Sequence, residues 1–390
     1  MSFIRDLSAN APWYHQQDPA WCGAACVQMI RDGYPDPADR CCYSQPEIWD
    51  IIQGHESEDP IDVEVNWASD PHGVAGCLQS LDNPPGVEWV ESVDVKRNAV
   101  VFDILYWMNL RGYPCAVLVN GGDHWVVIVR FETDVEPVEG STPQLKLITF
   151  YNPQPVLQNR AVTVMKGAKW LSGPMQDPVP DPGSWQGQFV AVLEPRGRRR
   201  QEEVQMKVEQ QITGGEPLSP SEAADAAKKQ VAELKLAEQS QFSLLGHDDV
   251  GPLEPVLVRD EQPGGLDEGG ANQYYSVPFG FEADSAEQGA QAMRVCVLVN
   301  AYSGEFEEAT AFDEPVRYLS KEEVLKIVAQ ATSQKYLDPE GAEVTLMFRP
   351  SQISQTRAWP FWQVKIGETI VYVDQLGNLY RELRRGRPGS

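Results

Sequence analysis

Cys22 stands in the stretch QQDPAWCGAACVQM, directly before Gly23, Ala24 and Ala25 and just after a loop carrying Asp18 and Pro19. A thiol attacks a carbonyl only as thiolate, and its ordinary pKa lies near 8.5, so a nucleophilic cysteine needs a device that lowers it. A helix that begins at Trp21 supplies one such device, the partial positive charge of its N-terminus. Gly23 and the two alanines leave room for a substrate backbone and let the helix pack closely. Gln16, six residues upstream, lies where its amide can reach the same pocket. With the Cys22 backbone amide it could hold a developing oxyanion. Gln17 competes for that role, and the spacing favours Gln16.

The second device is an imidazolium, which must come from elsewhere in the chain. Of the five histidines, His124 is the best placed: it opens the run HWVVIVRF immediately after NGGD. A histidine at a strand mouth sits at the sheet edge, where it can face a helix N-terminus. A third group should orient the ring and fix its tautomer. Asn152, in FYNPQP, meets that need if its strand pairs with the histidine strand. Asn-Pro is also ordinary turn chemistry, which is the plainer reading of that pair.

These side chains require particular elements. Apolar spacing predicts helices over 21–32 and over 97–111, the latter in the stretch NAVVFDILYWMNLRG (98–112). Strands follow at CAVLV (115–119), HWVVIVRF (124–131), LKLITFY (145–151) and GQFVAVLE (187–194). NGGD suits a tight hairpin between the first two. The long connection 132–144 then reads as a surface insertion. Helices first and an antiparallel sheet afterwards make an α+β pattern for residues 1–195.

Gln16, then Trp-Cys-Gly-Ala-Ala, a later Gly-Asp-His-Trp-Val-Val and a later Asn-Pro resemble the papain-like cysteine peptidases. The bacterial subgroup that contains the double-glycine leader peptidases is the nearest in pattern. The resemblance covers 1–195 and implies a helix carrying an N-terminal Cys packed on an antiparallel sheet. It also implies roles: Cys22 nucleophile, His124 general base, Asn152 orienter, Gln16 oxyanion donor. Leader peptidases usually carry Asp where this chain has Asn152, and the insertion lengthens the His-to-Asn separation; neither change removes a functional group. The implied reaction is acyl transfer from a protein or peptide substrate, with no cofactor. Cys22 attacks the carbonyl, His124 protonates the leaving amine, and water hydrolyses the thioester. Trp21, Gly23 and Trp125 would wall the substrate site. The same machinery serves amidases, deamidases and transglutaminases, and a decayed copy would be a silent binding protein.

Residues 196–217, RGRRRQEEVQMKVEQQITGGEP, read as a charged linker. Beyond it the chain looks like two copies of one unit, 218–315 and 316–390. LSPSEAADAAKKQVAEL (218–234) and LSKEEVLKIVAQATSQK (319–335) both place Glu three residues after Ser, a capping-box start. Each is followed by strand-like runs, PVLV (255–258) and VTLMF (344–348), a Pro-Phe pair, and a strand-turn-aromatic segment, VLVNAYSGEF (297–306) and VYVDQLGNLY (371–380). This order resembles tandem PepSY-like modules, which implies regulation of the first domain or presentation of substrate to it. An immunity or inhibitor protein built mainly on the repeats is a further reading.

The 390 residues carry a formal charge of -25 and a pI near 4.6. That field repels nucleic acid and anionic membrane, so neither is an expected partner. No run suits a signal peptide or a membrane span, and seven cysteines in irregular spacing form no disulfide framework. A cytoplasmic setting is the expectation. No CxxC pair or HExxH occurs, so Cys26, Cys41, Cys42, Cys77 and Cys115 read as core or spare thiols rather than metal ligands. The acidic run HESEDPIDVE (55–64) reads as a solvated loop that could also favour basic substrates. Gly-Gly at 214–215 loosely resembles a leader cleavage site, which raises self-cleavage after Gly215 as an expectation.

Overall fold

A computed structural model describes residues 2–40, 43–154, 161–195, 216–261, 272–281, 292–331 and 341–390. Most of the linker 196–217, including the Gly214–Gly215 pair, and the Cys41–Cys42 pair lie outside the described residues. The chain forms two compact units: Met1–Gln211 with Gly386–Ser390, and Ile212–Arg385. The last five residues, which the sequence pattern placed in the second repeat, thus belong to the first unit.

In unit 1 the expected helices occur as α1 (Cys22–Asp32) and α5 (Arg97–Arg111), with α2 (Gln45–His55), α3 (Pro60–Val65) and α4 (Pro71–Ser80) between them and α6 (Gly167–Ser172) later. Local chemistry sets their ends. Ser44 and Glu47 close a capping box on α2, and the Asp70 carboxylate accepts the Gly73 amide at the start of α4. Gly112 ends α5 with φ 78°, a left-handed position open to glycine.

The strands are β1 (Phe3–Asp6), β2 (Val90–Asp94), β3 (Cys115–Val119), β4 (His124–Thr133), β5 (Leu145–Tyr151), β6 (Ala161–Lys166) and β7 (Phe189–Leu193). They form an antiparallel sheet in the order β6-β5-β4-β3-β7-β2, with β1 on β4. Both faces are covered, which explains why HWVVIVRF is a continuous apolar run rather than an alternating one. Trp125, Val127 and Val129 pack with residues of α1, α2 and α4; Val126 and Ile128 pack with residues of α5 and α6. The period-2 geometry of a strand thus divides β4 between two cores.

Unit 2 contains α7 (Pro220–Glu233) followed by β8 (Val250–Pro252), β9 (Val256–Asp260), β10 (Asn272–Phe281), β11 (Met293–Asn300) and β12 (Phe306–Val316). Then come α8 (Lys321–Ala331), β13 (Ala342–Phe348), β14 (Phe361–Ile366), β15 (Thr369–Val373) and β16 (Leu379–Tyr380). Both helices open as the sequence predicts: Ser219 with Glu222, and Ser320 with Glu323, exchange side-chain and backbone hydrogen bonds. The strands run β16-β15-β14-β13-β9-β10-β11-β12, two antiparallel meanders joined by a parallel pairing of β13 with β9. Each meander follows one helix, but the first stretch carries an additional short strand, β8, which pairs with β10.

Candidate active site

The expected residues converge where α1 begins, beside the mouth of β4. Cys22 is the first residue of α1, one later than the expected start at Trp21, and no acidic residue lies in its first turn to oppose a thiolate. The backbone N–H of Trp125 donates to Cys22 Sγ at 3.3 Å. The amides of Gly23 and Cys22 also face the sulfur and, like that of Trp125, favour its anionic form.

His124 is delivered by the β3–β4 hairpin, in which Val119 lies opposite His124. The connection is tight because Asn120, Gly121 and Gly122 all take positive φ (55°, 66° and 90°), which Asn and Gly tolerate best. The ring is buried. His124 Nε2 lies 2.8 Å from Asn152 Oδ1. That oxygen also accepts the Gln154 amide at 2.9 Å, so it is the acceptor and His124 Nε2 carries a proton. Asn152 follows β5, the antiparallel neighbour of β4. Its own carbonyl receives the Trp13 indole N–H at 2.9 Å.

Gln16 is buried beside the loop before α1, but its amide is otherwise engaged. Nε2 donates to the carbonyls of Asp18 (3.1 Å) and Pro19 (2.8 Å), and Oε1 is buried without a partner. Both amide hydrogens are spent on the loop, so in this arrangement Gln16 stabilises the approach to α1 rather than offering a donor. Trp21 stacks on Trp49 of α2, with centroids 5.8 Å apart. Trp125 is buried, and its indole donates to the Ser69 carbonyl at 3.0 Å. The space beside Gly23 is filled by Ser69: a Cβ there would lie 2.5 Å from Ser69 Oγ.

A segment from far along the chain, residues 387–390, lies against the thiol. The Cys22 S–H donates to the Gly389 carbonyl at 3.2 Å, and His124 Nδ1 lies 2.8 Å from the main-chain oxygen of Ser390. The segment is held by backbone bonds: Ala68 N–H to Pro388 O (2.8 Å), Gly389 N–H to Gly122 O (2.8 Å) and Ser390 N–H to Asp123 O (3.1 Å). Arg387 donates to the Asn66 carbonyl, to Asn66 Oδ1 and to the Trp67 carbonyl.

The electrostatics follow from this enclosure. Burial pushes the Cys22 thiol up to about 12 and outweighs the three amides that pull it down. Burial also draws the His124 pKa below its ordinary value, against the Ser390 and Asn152 contacts that favour the protonated ring. With the segment in place burial thus disfavours the charged form of both groups, while the oxygens 2.8 Å from each ring nitrogen of His124 act the other way. Cys26, one turn further along α1, is buried and pushed well up by desolvation, as a core thiol should be.

Cys22, Cys26, Cys77, Cys115 and Cys296 are buried and are not joined in disulfides. Among the described residues, no group of three or more His, Cys, Asp or Glu side chains is placed to hold a metal ion, and no helix is long and apolar enough to cross a membrane. The acidic run 55–64 contributes His55, Glu56, Ser57 and Glu58 to an open cavity of about 740 Å³. Glu56 is pushed up to about 7, by burial and then by Asp70, while Arg387 pulls the other way. Comparison with protein-family models, with curated proteins and with solved structures finds no match.

Proposed function

We propose that unit 1 is a papain-like cysteine peptidase that acts on a protein or peptide substrate through Cys22, His124 and Asn152. Cys22, activated at the α1 N-terminus, attacks the carbonyl carbon. His124 takes the thiol proton and delivers it to the leaving amine. Asn152 keeps the ring's Nε2–H pointed away from the reacting centre, so that Nδ1 faces the thiol. The Cys22 amide stabilises the oxyanion, and Gln16 joins it once its amide turns from the Asp18 and Pro19 carbonyls; such donors contribute about 3 kcal/mol each. Water then releases the acyl group from sulfur. Trp21, Gly23 and Trp125 line the approach, and the repeats of the second half, PepSY-like in pattern, regulate the site or recruit its substrate.

The observation that supports this reading best is that a single stretch of polypeptide touches both reactive groups, its main-chain oxygens lying on Cys22 Sγ and His124 Nδ1. A site that takes one peptide segment in this way has the shape for others. A catalytically silent binding protein is the second reading, favoured by the engaged Gln16 amide and by the neutral thiol.

A peptide library incubated with the full chain, with a chain ending at Arg385 and with Cys22→Ser separates them by product mass. Hydrolysis that disappears in Cys22→Ser supports the peptidase. Ammonia loss or amine incorporation without chain cleavage would assign the same triad to a deamidase or transglutaminase. No turnover by either intact-thiol form would leave the binding protein.

A further inference from the structure

Residues 387–390 have the sequence Arg-Pro-Gly-Ser and form a turn closed by the Ser390 N–H on the Arg387 carbonyl at 3.0 Å. Pro388 fits the first central position of a type II turn, and Gly389, at φ 70°, fits the second, which requires positive φ. We propose that residues 66–69 and 122–124 form a peptide-binding groove selective for an Arg-Pro-Gly turn, and that the chain's own residues 387–390 occupy it and mask Cys22. The consequence for Cys22 rests on its reading as the nucleophile; the groove itself does not.

Three features give the groove its selectivity. The Gly389 position excludes every larger residue: a Cβ there would lie 2.1 Å from the Ser69 carbonyl oxygen, a backbone atom that cannot swing aside, and the φ is strained for any L side chain. The Arg387 guanidinium meets three acceptors on Asn66 and Trp67. Asn66 itself holds a left-handed backbone (φ 59°) at the end of α3, which turns its carbonyl and side chain together toward the groove. The positive charge of Arg387 also acts on the half-buried Glu56. Finally, Ala68, Gly122 and Asp123 bind the segment through its backbone, which fixes its register whatever the flanking side chains are.

The bound geometry is that of an occupant and not of a substrate in attack. The segment is folded into a turn, and its Gly389 oxygen accepts the thiol proton. A sulfur that donates its proton to the carbonyl it faces is not a thiolate poised on the carbon. No bond is made or broken in the proposal, and the segment stays intact.

The test measures iodoacetamide labelling of Cys22 at neutral pH by peptide mapping, in the full chain, in a chain ending at Arg385 and in Gly389→Ala and Arg387→Ala. Circular dichroism of each variant checks that the fold is kept. Labelling should be about tenfold or more faster in all three variants, because an open groove is no longer a rare opening of the closed one. The peptide Arg-Arg-Gly-Arg-Pro-Gly-Ser, added to the shortened chain, should restore protection, and the same peptide with Ala for its second Gly should not. Equal labelling of the full and shortened chains, or equal protection by both peptides, would overturn the proposal. Peptide hydrolysis is read separately on the same samples. Fast, peptide-protected labelling without hydrolysis would leave the groove standing and sink the peptidase reading; hydrolysis at one rate in full and shortened chains would do the reverse.

Discussion

His124 opens β4 and Asn152 directly follows β5, its antiparallel neighbour, and the two side chains meet at 2.8 Å, Nε2 to Oδ1. The Gln154 amide fixes which atom of the Asn152 amide faces the ring. Nδ1 is thereby the nitrogen that Asn152 leaves open, and it lies 2.8 Å from the main-chain oxygen of Ser390.

Asn152→Ala should therefore reduce turnover without abolishing it. In the chain ending at Arg385, kcat for a cleaved peptide is expected to fall about 10- to 100-fold, within the range attributable to a positioned general base, with KM little changed. Asn152→Asp, which keeps an acceptor for the ring, should recover a good part of the loss. If Asn152→Ala raised KM and left kcat intact, the side chain would be shaping the loop and not orienting the ring.

The thiol gives a pH signature. Its pKa is raised from 9.0 to about 12 by burial, so the neutral thiol is the form that the occupied groove favours. A raised pKa contributes stability that is fully present below about pH 9 and is lost as the pH climbs through the folded value. Labelling of Cys22 in the full chain should then increase about tenfold per pH unit, with no plateau below about pH 11. Burial also lowers the His124 pKa, against the Ser390 and Asn152 contacts that favour the protonated ring. The shortened chain should plateau at a lower pH than the full one. A plateau near neutrality in the full chain would show the ion pair forming with the segment in place.

The helix and strand boundaries around the site were readable because each has a local cause. CAVLV and LKLITFY are the whole of β3 and β5, and NGGD dictates the hairpin through residues that accept positive φ. The capping boxes at Ser219 and Ser320 are also local, and equally legible. What the sequence hid is non-local. Pro388-Gly389 announces a turn, but nothing in those two letters says that the turn docks on residues hundreds of positions earlier. Nor could the spacing of Gln16 reveal that the carbonyls of Asp18 and Pro19 would claim both its amide hydrogens. Ser69 escaped notice for a similar reason: its part is to fill the space Gly23 leaves, and that is visible only when the two backbones lie together.

Unit 2 contains a buried charge cluster that should dominate its stability. Arg357 lies 2.5 Å from Glu307, 3.1 Å from Asp260 and 3.9 Å from Glu308, with its guanidinium 4.2 Å from the Tyr274 ring centre. Burial alone would lower the Arg357 pKa; the carboxylates around it reverse that and raise it. Arg357→Met would leave buried carboxylates without their counter-charge, at a cost of about 3–5 kcal/mol. Urea unfolding of the full chain should show a lower midpoint for the transition of unit 2. A loss below about 1 kcal/mol would mean that the carboxylates simply take up protons when the arginine is removed.

Gly23 and Ser69 offer a paired test of the close approach beside the thiol. A Cβ on Gly23 would lie 2.5 Å from Ser69 Oγ and 2.6 Å from Ser69 Cβ, so one backbone must move. Ser69 cannot shift alone, because its carbonyl accepts the Trp125 indole at 3.0 Å, and the Trp125 amide faces Cys22 Sγ. Gly23→Ala should cost about 1–3 kcal/mol as an overpacking substitution, and should speed labelling of Cys22 by loosening the Ser69 wall against Gly389. Gly23→Ala with Ser69→Gly removes the clash from the other side and should regain most of the thermal stability, a coupling that two independent sites would not show. Thermal unfolding and alkylation of the unsubstituted chain, the two single variants and the double variant supply all four corners of the cycle. Additive effects would mean that Gly23 is required by the path of helix α1 itself and not by its contact with Ser69.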